Sequence, residues 1–465
     1  MEEKQIQISK YSKYIELLNK LLSQNKISAW NINGHDIERE NFYMEADYKI
    51  ESILEAKREG FVVNLYKEIN DEIGKSTFVS SKYDSIEEFK EDLNIALFTC
   101  SQSRTKKYKL SKKEDKEVDD SHIDYDSFCS KKFEENFKSK TLKVFFAQII
   151  EILKKEISGA QSEKINLKVN SCEFLNSIRT YEHIDSNKID KAFKQNSSYF
   201  ELIITAKNLD TNKENEFVSY EKINNVINFD FEGFFKNCIL NAKNSVIAKQ
   251  MKNFKGKVIL SNTACKDFFI PDLSLNSVIG HCSARLKHQG VSKYKIGKEI
   301  FTAKKNKLTI YANAIRKNNS VSEAFDEEGI SGQRTCLIKK NVVQTFFANK
   351  QYADYTKNKA TGPLGVIEVN PGDKSLEELN QEENYVEIIT FSSFVPDLVS
   401  GEFSSEIRQG YLVENGIRKP IKGGLLTGNI FKILENIELS KEIQDVPGYV
   451  GPKAIKFYDA EIVGL

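Results

Sequence analysis

The stretch GYLVENG, residues 410–416, contains a strong turn signal. Glu414-Asn415-Gly416 predicts a tight β-hairpin, because Asn followed by Gly tolerates the positive φ angles that such a turn requires. Short runs rich in β-branched and aromatic residues precede and follow this turn and predict strands. They lie at 258–260, 308–311, 335–338, 342–347, 386–394 and 455–463. A β-rich C-terminal domain, with an antiparallel sheet or barrel-like arrangement, is therefore expected over residues 253–465.

The first half of the chain mixes helical and strand patterns. Apolar side chains recur every three or four residues in several segments, and the capping box Ser85–Glu88 opens one of them. Helices are expected at 11–22, 86–97, 142–157 and 234–251, and strands at 61–66, 165–169 and 199–206. The charged stretch 105–127 predicts a solvated connection. The expected fold class is α+β, with an N-terminal mixed α/β domain over residues 1–252.

The overall charge and the apolar runs exclude two classes of partner. The 68 Lys and Arg residues nearly balance the 67 Asp and Glu residues, whereas a nucleic-acid binder usually carries a basic excess. No run approaches the roughly 18 apolar residues needed to cross a bilayer, and residues 1–10 have no signal-peptide core. The seven cysteines form no CxxC pair, which is typical of reduced thiols. We expect a cytoplasmic protein that binds neither nucleic acid nor membrane.

Motifs for nucleotide binding and for serine hydrolysis are missing. Gly74-Lys75-Ser76 resembles the end of a phosphate-binding loop, but Ile69 stands where that loop requires a glycine. The simpler interpretation is a polar turn. Neither GxGxxG nor GxSxG occurs in the chain. No catalytic residue is expected from these patterns.

Two histidines could form a metal site. His281 and His288 are seven residues apart, nearly two helical turns, so they share one stripe of a helix predicted over 275–288. Together with Cys282 they could bind a divalent cation. Arg285 lies between the imidazoles and would repel that cation. The alternative is a polar stripe beside the apolar face of a buried helix.

Three consecutive carboxylates occur at Asp326, Glu327 and Glu328. Such groups can act as acid and base in catalysis. Since Gly329 follows them directly, they are better interpreted as a turn that leads into a strand, with the carboxylates solvated.

Several spaced motifs in the C-terminal half occur in a recognisable order. SGEFS at 400–404 is followed by GYLVENG at 410–416, by Pro420-Ile421-Lys422-Gly423 and by Gly428-Asn429-Ile430-Phe431. This order resembles the signature of the TldD/PmbA family. Upstream, FDEEG at 325–329 resembles a turn of the same family. The resemblance covers essentially the whole chain by order of elements and is strongest from about residue 255.

The resemblance has implications for zinc. The catalytic kind of subunit in this family, TldD, carries HExxxH on a helix and a cysteine near the C-terminus, and these bind zinc. The corresponding segments here, 275–288 and 447–452, contain neither group. The chain is therefore similar to the second kind, TldE or PmbA, which pairs with TldD and lacks the zinc site. The resemblance implies no cofactor in this chain, zinc in a TldD-like partner, and unfolded peptides as substrates.

The family motifs also supply candidates for peptide-binding or cavity-lining residues, because small residues permit close backbone approach and strands can hold peptides. The candidates are Ser400, Gly401, Glu402, Phe403, Ser404, Gly410, Tyr411, Asn415 and Asn429. The alternative is that the glycines serve only tight turns. Three other possibilities remain open: a homodimer when the chain is alone, a stand-alone regulatory protein of the modulator-of-DNA-gyrase type, and a divergent metallopeptidase using His281 and His288.

Overall fold

The computed structural model describes residues 2–81, 85–112, 120–270, 277–381 and 384–464, with side chains from residue 10 onward. Elements of the first half are α1 (Glu2–Ser23), β1 (Ala29–Glu45), β2 (Ile50–Ile69), β3 (Glu72–Ser80), α2 (Ile86–Gln102), β4 (Arg104–Lys106), α3 (Lys131–Lys138), α4 (Leu142–Ala160), β5 (Ile165–Asp185), β6 (Asp190–Asn208), β7 (Glu214–Ile223) and α5 (Phe231–Ile247).

Elements of the second half are shorter and mostly strands. They are β8 (Lys249–Gln250), β9 (Phe254–Ser261), α6 (Thr263–Phe269), α7 (Ala284–His288), β10 (Ile310–Asn313), β11 (Arg334–Lys339), β12 (Val342–Val343), α8 (Lys350–Thr356), β13 (Val366–Val369), α9 (Leu376–Leu379), β14 (Asn384–Phe391), β15 (Glu402–Glu414), β16 (Ile417–Lys422), β17 (Leu425–Asn429), α10 (Ile430–Ile433), β18 (Ile437–Leu439), β19 (Ile443–Val446), β20 (Tyr449–Pro452) and β21 (Ala454–Val463).

The first half contains an antiparallel sheet with strand order β4-β3-β2-β1-β5-β6-β7. Side chains alternate across a strand, so β1 directs Trp30 and Ile32 to one face and Asn31 and Asn33 to the other. Trp30 and Ile32 join a core with helices α1 and α2, and helices α3 to α5 cover the same face further along. The opposite, polar face remains for the second half of the chain.

The second half contains two sheets. Strands β14, β9, β21, β17 and β15 pair in a closed ring, because β15 also pairs back with β14. A mixed sheet with order β12-β11-β10-β13-β20-β19 packs beside this barrel, and one large apolar core joins the two. Closing the ring removes unpaired edges from its strands.

The loop between β10 and β11 packs on the polar face of the first sheet. The Phe193 and Phe325 rings meet edge to face at 5.1 Å, and Lys191 Nζ lies 2.7 Å from Ser331 Oγ. Asn31 and Asn33 both donate to the main-chain carbonyl of Glu327. Polar side chains of the first sheet therefore hold this loop in place.

The α+β fold class with a barrel in the C-terminal region is confirmed. The Asn-Gly hairpin is confirmed as well: Asn415 and Gly416 have φ angles of 50° and 76° and join β15 to β16. The domain boundary near residue 252 stays a prediction. Among the described residues, no helix is long and apolar enough to span a bilayer.

The prediction of a solvated connection at 105–127 is wrong for part of this stretch. Tyr108 is buried against Ala29 and Ile73, and Ile123 is buried beside Phe325. These apolar residues are few and widely spaced, so they give no periodic signal, yet each fills a gap beside the first sheet. Residues 113–119 lie outside the described part of the chain.

Candidate functional site

The segments 275–288 and 447–452, for which the sequence resemblance predicts correspondence with zinc-binding elements, both border one cavity. Ile279, from the segment 275–288, and Gly448, from the segment 447–452, both line a space of about 290 Å³. The other lining residues are Phe269, Ile270, Val321, Glu323, Leu364, Gly365 and Ile367. The cavity therefore lies beside the mixed sheet, between α6, β13 and the turn that precedes β20.

Glu323 is the ionisable residue among the described residues that line this cavity. It lies in the loop between β10 and β11, where its backbone N–H donates to the Ala314 carbonyl at 2.8 Å. Burial raises the pKa of the Glu323 carboxyl, and the negative charge of Glu327 raises it further. No described residue donates a hydrogen bond to this carboxylate. A partly buried acidic group in an apolar wall, without a hydrogen-bond donor among the described residues, is the distinctive feature of the cavity.

The lining does not suit a zinc ion. Zinc in proteins takes three or four ligands from Cys, His and carboxylate groups. Hydrocarbon side chains and glycines form this wall apart from Glu323, and the described residues contain no group of three or more His, Cys, Asp or Glu able to hold a metal. The adjoining residues 271–276, which are not described, have the sequence PDLSLN without His or Cys.

The structure separates the surroundings of His281 and His288. His281 is buried near a 3₁₀ turn, and its ring contacts Tyr294 and Phe431 with centroids 5.4 and 4.9 Å away. Burial lowers the pKa of His281. His288 ends α7 and its ring lies 4.8 Å from that of Tyr355. The expected continuous helix over 275–288 is therefore wrong over its described part, since a 3₁₀ turn and the short α7 replace it.

The residues of the SGEFS motif build a turn. Asp397 Oδ1 accepts hydrogen bonds from the Ser400 backbone N–H at 2.6 Å and from its hydroxyl at 2.7 Å. Asn429 Nδ2 donates to the Ser400 carbonyl and to Glu402 Oε1, each at 2.9 Å. Gly401 has φ +81°, and a Cβ there would lie 2.5 Å from the Phe431 ring. These contacts support a turn role, and the lining role of Ser400, Gly401, Glu402 and Asn429 stays a prediction.

The remaining family candidates divide into core, exposed and groove positions. Phe403 is buried in the main core, and Ser404 is exposed on β15. Gly410 allows β15 to approach β14, because a Cβ would lie 2.4 Å from the Glu387 carbonyl oxygen. Asn415 forms the hairpin turn. Tyr411 lines a groove.

Tyr411 lies in a groove of about 450 Å³ between the first sheet and the barrel. One wall is the five consecutive residues 217–221 of β7, the last strand of the first sheet, which pairs only with β6 among the described strands. The opposite wall includes Arg418, whose guanidinium lies 4.0 Å above the Tyr411 ring and donates to Glu387 Oε2 at 2.5 Å. The groove thus combines an unpaired strand edge with aromatic and charged groups.

A larger space, about 1060 Å³, lies between the two halves near Lys109, Lys350 and Asp354. Its lining mixes basic, acidic and neutral residues without a convergent set of groups. It also adjoins residue 112, after which residues 113–119 are not described. We assign no function to it.

The turn at 326–329 is confirmed, but the prediction that its carboxylates are solvated is wrong for two of them. Asp326 Oδ1 accepts from the backbone N–H of Glu328 and of Ile330 at 2.9 and 3.0 Å. Burial, with the charge of Glu328, raises the pKa of Asp326 to about 8. Burial also raises the pKa of Glu328, whose carboxylate accepts from the Lys350 backbone N–H at 3.0 Å. Glu327 is exposed, as expected.

Sequence reasoning missed Glu323 and the edge of β7. Glu323 lies in a polar loop with three other acidic residues, and no pattern separates the one beside a cavity from its neighbours. The charged residues Glu214, Glu216 and Glu221 interrupt the apolar pattern of β7, so the pattern did not predict a strand there. The available signal was the short β-branched and aromatic run of Phe217, Val218 and Tyr220.

Comparison with known proteins agrees with this architecture. Residues 254–464 match the family model of the PmbA/TldA metallopeptidase C-terminal domain. These residues form a PmbA/TldD-type domain. An uncharacterised protein of Methanocaldococcus jannaschii is 26% identical over 249 residues, 50% of this chain and 57% of that protein. A metalloprotease of the same archaeon is 26% identical over 239 residues, 47% of this chain and 51% of its own length. The matches thus span about half the length of these relatives.

Solved structures with the same fold cover nearly the whole chain. TldE from Thermococcus kodakarensis aligns with a TM-score of 0.74 at 17% identity, covering 97% of this chain and 100% of that one. A protein of Thermotoga maritima described as a modulator of a DNA gyrase aligns with the same TM-score, identity and coverage. At this identity the likeness establishes the fold, including that of the first half, which the PmbA/TldD domain match does not reach.

Proposed function

We propose that this chain is the non-catalytic, TldE-like subunit of a TldD/TldE-type zinc peptidase that processes unfolded peptides. The observation that carries the proposal is the cavity at Ile279 and Gly448. The segments that hold zinc ligands in TldD-type subunits meet there, and hydrocarbon with one carboxylate lines the space instead. Relatives named metalloproteases and the shared fold with TldE support the assignment to this type of complex.

The chain's own contribution is to hold peptide substrate and to complete the complex. An extended peptide can add to an unpaired strand edge through backbone hydrogen bonds, which suits substrates of varied sequence. The position of β7 supports this role, because residues 217–221 line the groove that Tyr411 borders and β7 pairs only with β6 among the described strands. We therefore place peptide holding at this groove rather than at the SGEFS turn.

The test is a peptidase assay with an unfolded peptide under four conditions. They are this chain alone, a TldD-type subunit carrying HExxxH alone, the mixture, and the mixture with a zinc chelator. We expect full activity only in the mixture and its loss with chelator. An inert protein of similar size in place of this chain is the control for crowding.

Two outcomes would contradict the proposal. If the TldD-type subunit is equally active without this chain, the chain is not its partner, and a stand-alone regulatory role is favoured. If this chain alone cleaves peptide in a chelator-sensitive way, a metal site involving His281 or His288 exists. Size-exclusion chromatography of the mixture separately measures whether the two chains associate.

A further inference from the structure

The Glu323 cavity has two properties that favour a particular ligand. Its wall is hydrocarbon from Phe269, Ile279, Leu364 and Ile367 among others, and its volume of about 290 Å³ is at the lower end of the range for ligand pockets, near the size of a single amino-acid residue. Glu323 is the ionisable residue of its described lining, and no described residue donates a hydrogen bond to the Glu323 carboxylate. Glu323 is partly buried, and a carboxylate partly withdrawn from water is stabilised when a cationic group binds it.

We propose that this cavity binds the amino-terminal residue of an unfolded peptide, with its ammonium group against Glu323 and an apolar first side chain against the hydrocarbon wall. The proposal rests on the proposed function, because it takes unfolded peptides as the substrate class. It adds a second contact to the one along β7 and assigns a use to the position where TldD-type subunits bind metal.

Charge complementarity selects the ligand. The described lining of the cavity contributes no cation, and the nearby charge of Glu327 adds to the negative potential. An arriving ammonium would stabilise the ionised carboxylate and form a charge-assisted hydrogen bond, the stronger class of such bonds. An acidic or acetylated peptide end would gain neither effect.

The experiment measures binding by the full chain alone, without a partner subunit. A peptide that begins with leucine and carries a fluorophore at its C-terminus is titrated at pH 7 with the chain, and anisotropy is recorded. The same peptide with an acetylated amino terminus is the comparison. We expect the free peptide to bind about tenfold more tightly than the acetylated one, as for a hydrogen bond to a charged group.

Variants connect the effect to the cavity. Glu323→Gln should abolish the difference between the free and the acetylated peptide, whereas Glu377→Gln, at an exposed position of α9, should preserve it. Circular dichroism checks that both variants fold. If Glu323→Gln misfolds, Leu364→Ala gives the second test, since a smaller wall should weaken binding of the free peptide several-fold.

Three results would overturn the proposal: equal binding of free and acetylated peptide, an unchanged difference in Glu323→Gln, or tight binding of an acetylated peptide whose first residue is lysine. The last result would mean that the carboxylate binds a lysine side chain instead. Failure here differs from failure of the proposed function, because the partner-dependent peptidase assay can succeed while this binding assay shows no dependence on the amino terminus.

Discussion

Asn33 on β1 donates a hydrogen bond of 3.1 Å from Nδ2 to the main-chain carbonyl of Glu327, which lies 294 positions further along the chain. Its Oδ1 atom lies 2.7 Å from Nδ1 of the buried His183. Since an amide oxygen only accepts, Nδ1 carries the imidazole proton. One buried side chain thus fixes a histidine of β5 and the loop between β10 and β11.

Gly329 tests how tightly this junction is packed. Its φ is +73°, and a Cβ would lie 2.8 Å from two atoms of His183. Gly290 is the matched control, because its φ is +75° and nothing lies within 4 Å of a Cβ there. Gly290→Ala should lower the free energy of unfolding by about 1 kcal/mol, from backbone strain alone. Gly329→Ala should lower the free energy of unfolding by about 1–3 kcal/mol more than Gly290→Ala does, because the added Cβ overpacks the junction. Urea denaturation measures both, and equal losses would contradict close packing at His183.

Asp326 gives a prediction on pH. Its folded pKa of about 8 lies above its ordinary value of 3.8, so between these values the folded chain retains a proton that the unfolded chain has lost. Stability should therefore fall as pH rises from about 4 to 8, by at most ~1.4 kcal/mol per pH unit for one proton. Asp326→Asn should flatten this slope and retain the turn, because its Oδ1 can still accept both backbone bonds.

Asp210→Asn is the control for that measurement. Asp210 is exposed in the turn between β6 and β7, so its replacement should leave the pH profile of the free energy of unfolding unchanged. A profile for Asp326→Asn that parallels the unmodified chain from pH 4 to 8 would show that the Asp326 carboxylate is ionised in the folded state.

Tyr411 connects the barrel with α5. Its hydroxyl accepts a hydrogen bond of 2.7 Å from Asn244 Nδ2, and both side chains are buried. Tyr411→Phe should lower the free energy of unfolding by about 1–2 kcal/mol, because the Asn244 amide loses a buried partner. Tyr220→Phe, whose residue is 62% exposed, should change it little. Thermal and urea unfolding of the two variants compare directly.

Peptide holding along β7 predicts a kinetic effect of Tyr220. Lysine on an edge strand discourages addition of another strand. Tyr220→Lys should therefore raise the KM of the mixed peptidase several-fold and leave kcat nearly unchanged, as expected for a residue that contributes to substrate binding alone. Leu209→Lys, 49% exposed in the turn after β6, is the control. An unaltered KM in Tyr220→Lys would remove β7 from the binding surface.

Local patterns predicted the elements whose cause is local. The apolar stripe of α4 buries Phe146, Ile150 and Leu153 as its periodicity requires, and the capping box at Ser85 is present with both of its hydrogen bonds. The Asn415-Gly416 turn likewise needs only its own two residues. Such features depend on neighbours within a few positions, so one sequence is sufficient to predict them.

The environment of the acidic loop could not be predicted in the same way. Asp326 and Glu328 form the turn that their sequence indicates, but distant segments form the surroundings of this turn: Asn33 of β1 donates to the Glu327 carbonyl, and the Tyr108 hydroxyl donates to Glu328 Oε1 at 3.4 Å. Glu323 differs from the other acids of the loop because it lines a cavity together with residues of α6, β13 and Gly448. Tertiary contacts, which no local sequence pattern contains, therefore determine which of these acids has a perturbed environment.

The seven cysteines give the protein a built-in reporter of opening. Cys336 is partly exposed, whereas the other six thiols are buried, and burial raises the pKa of Cys129 to about 11 and that of Cys238 and Cys265 to about 12. Thiolate is the reactive form, so the buried thiols resist alkylation while the fold is intact. Timed labelling followed by mass spectrometry would then rank the two halves by how often each transiently unfolds, with Cys336 reacting first.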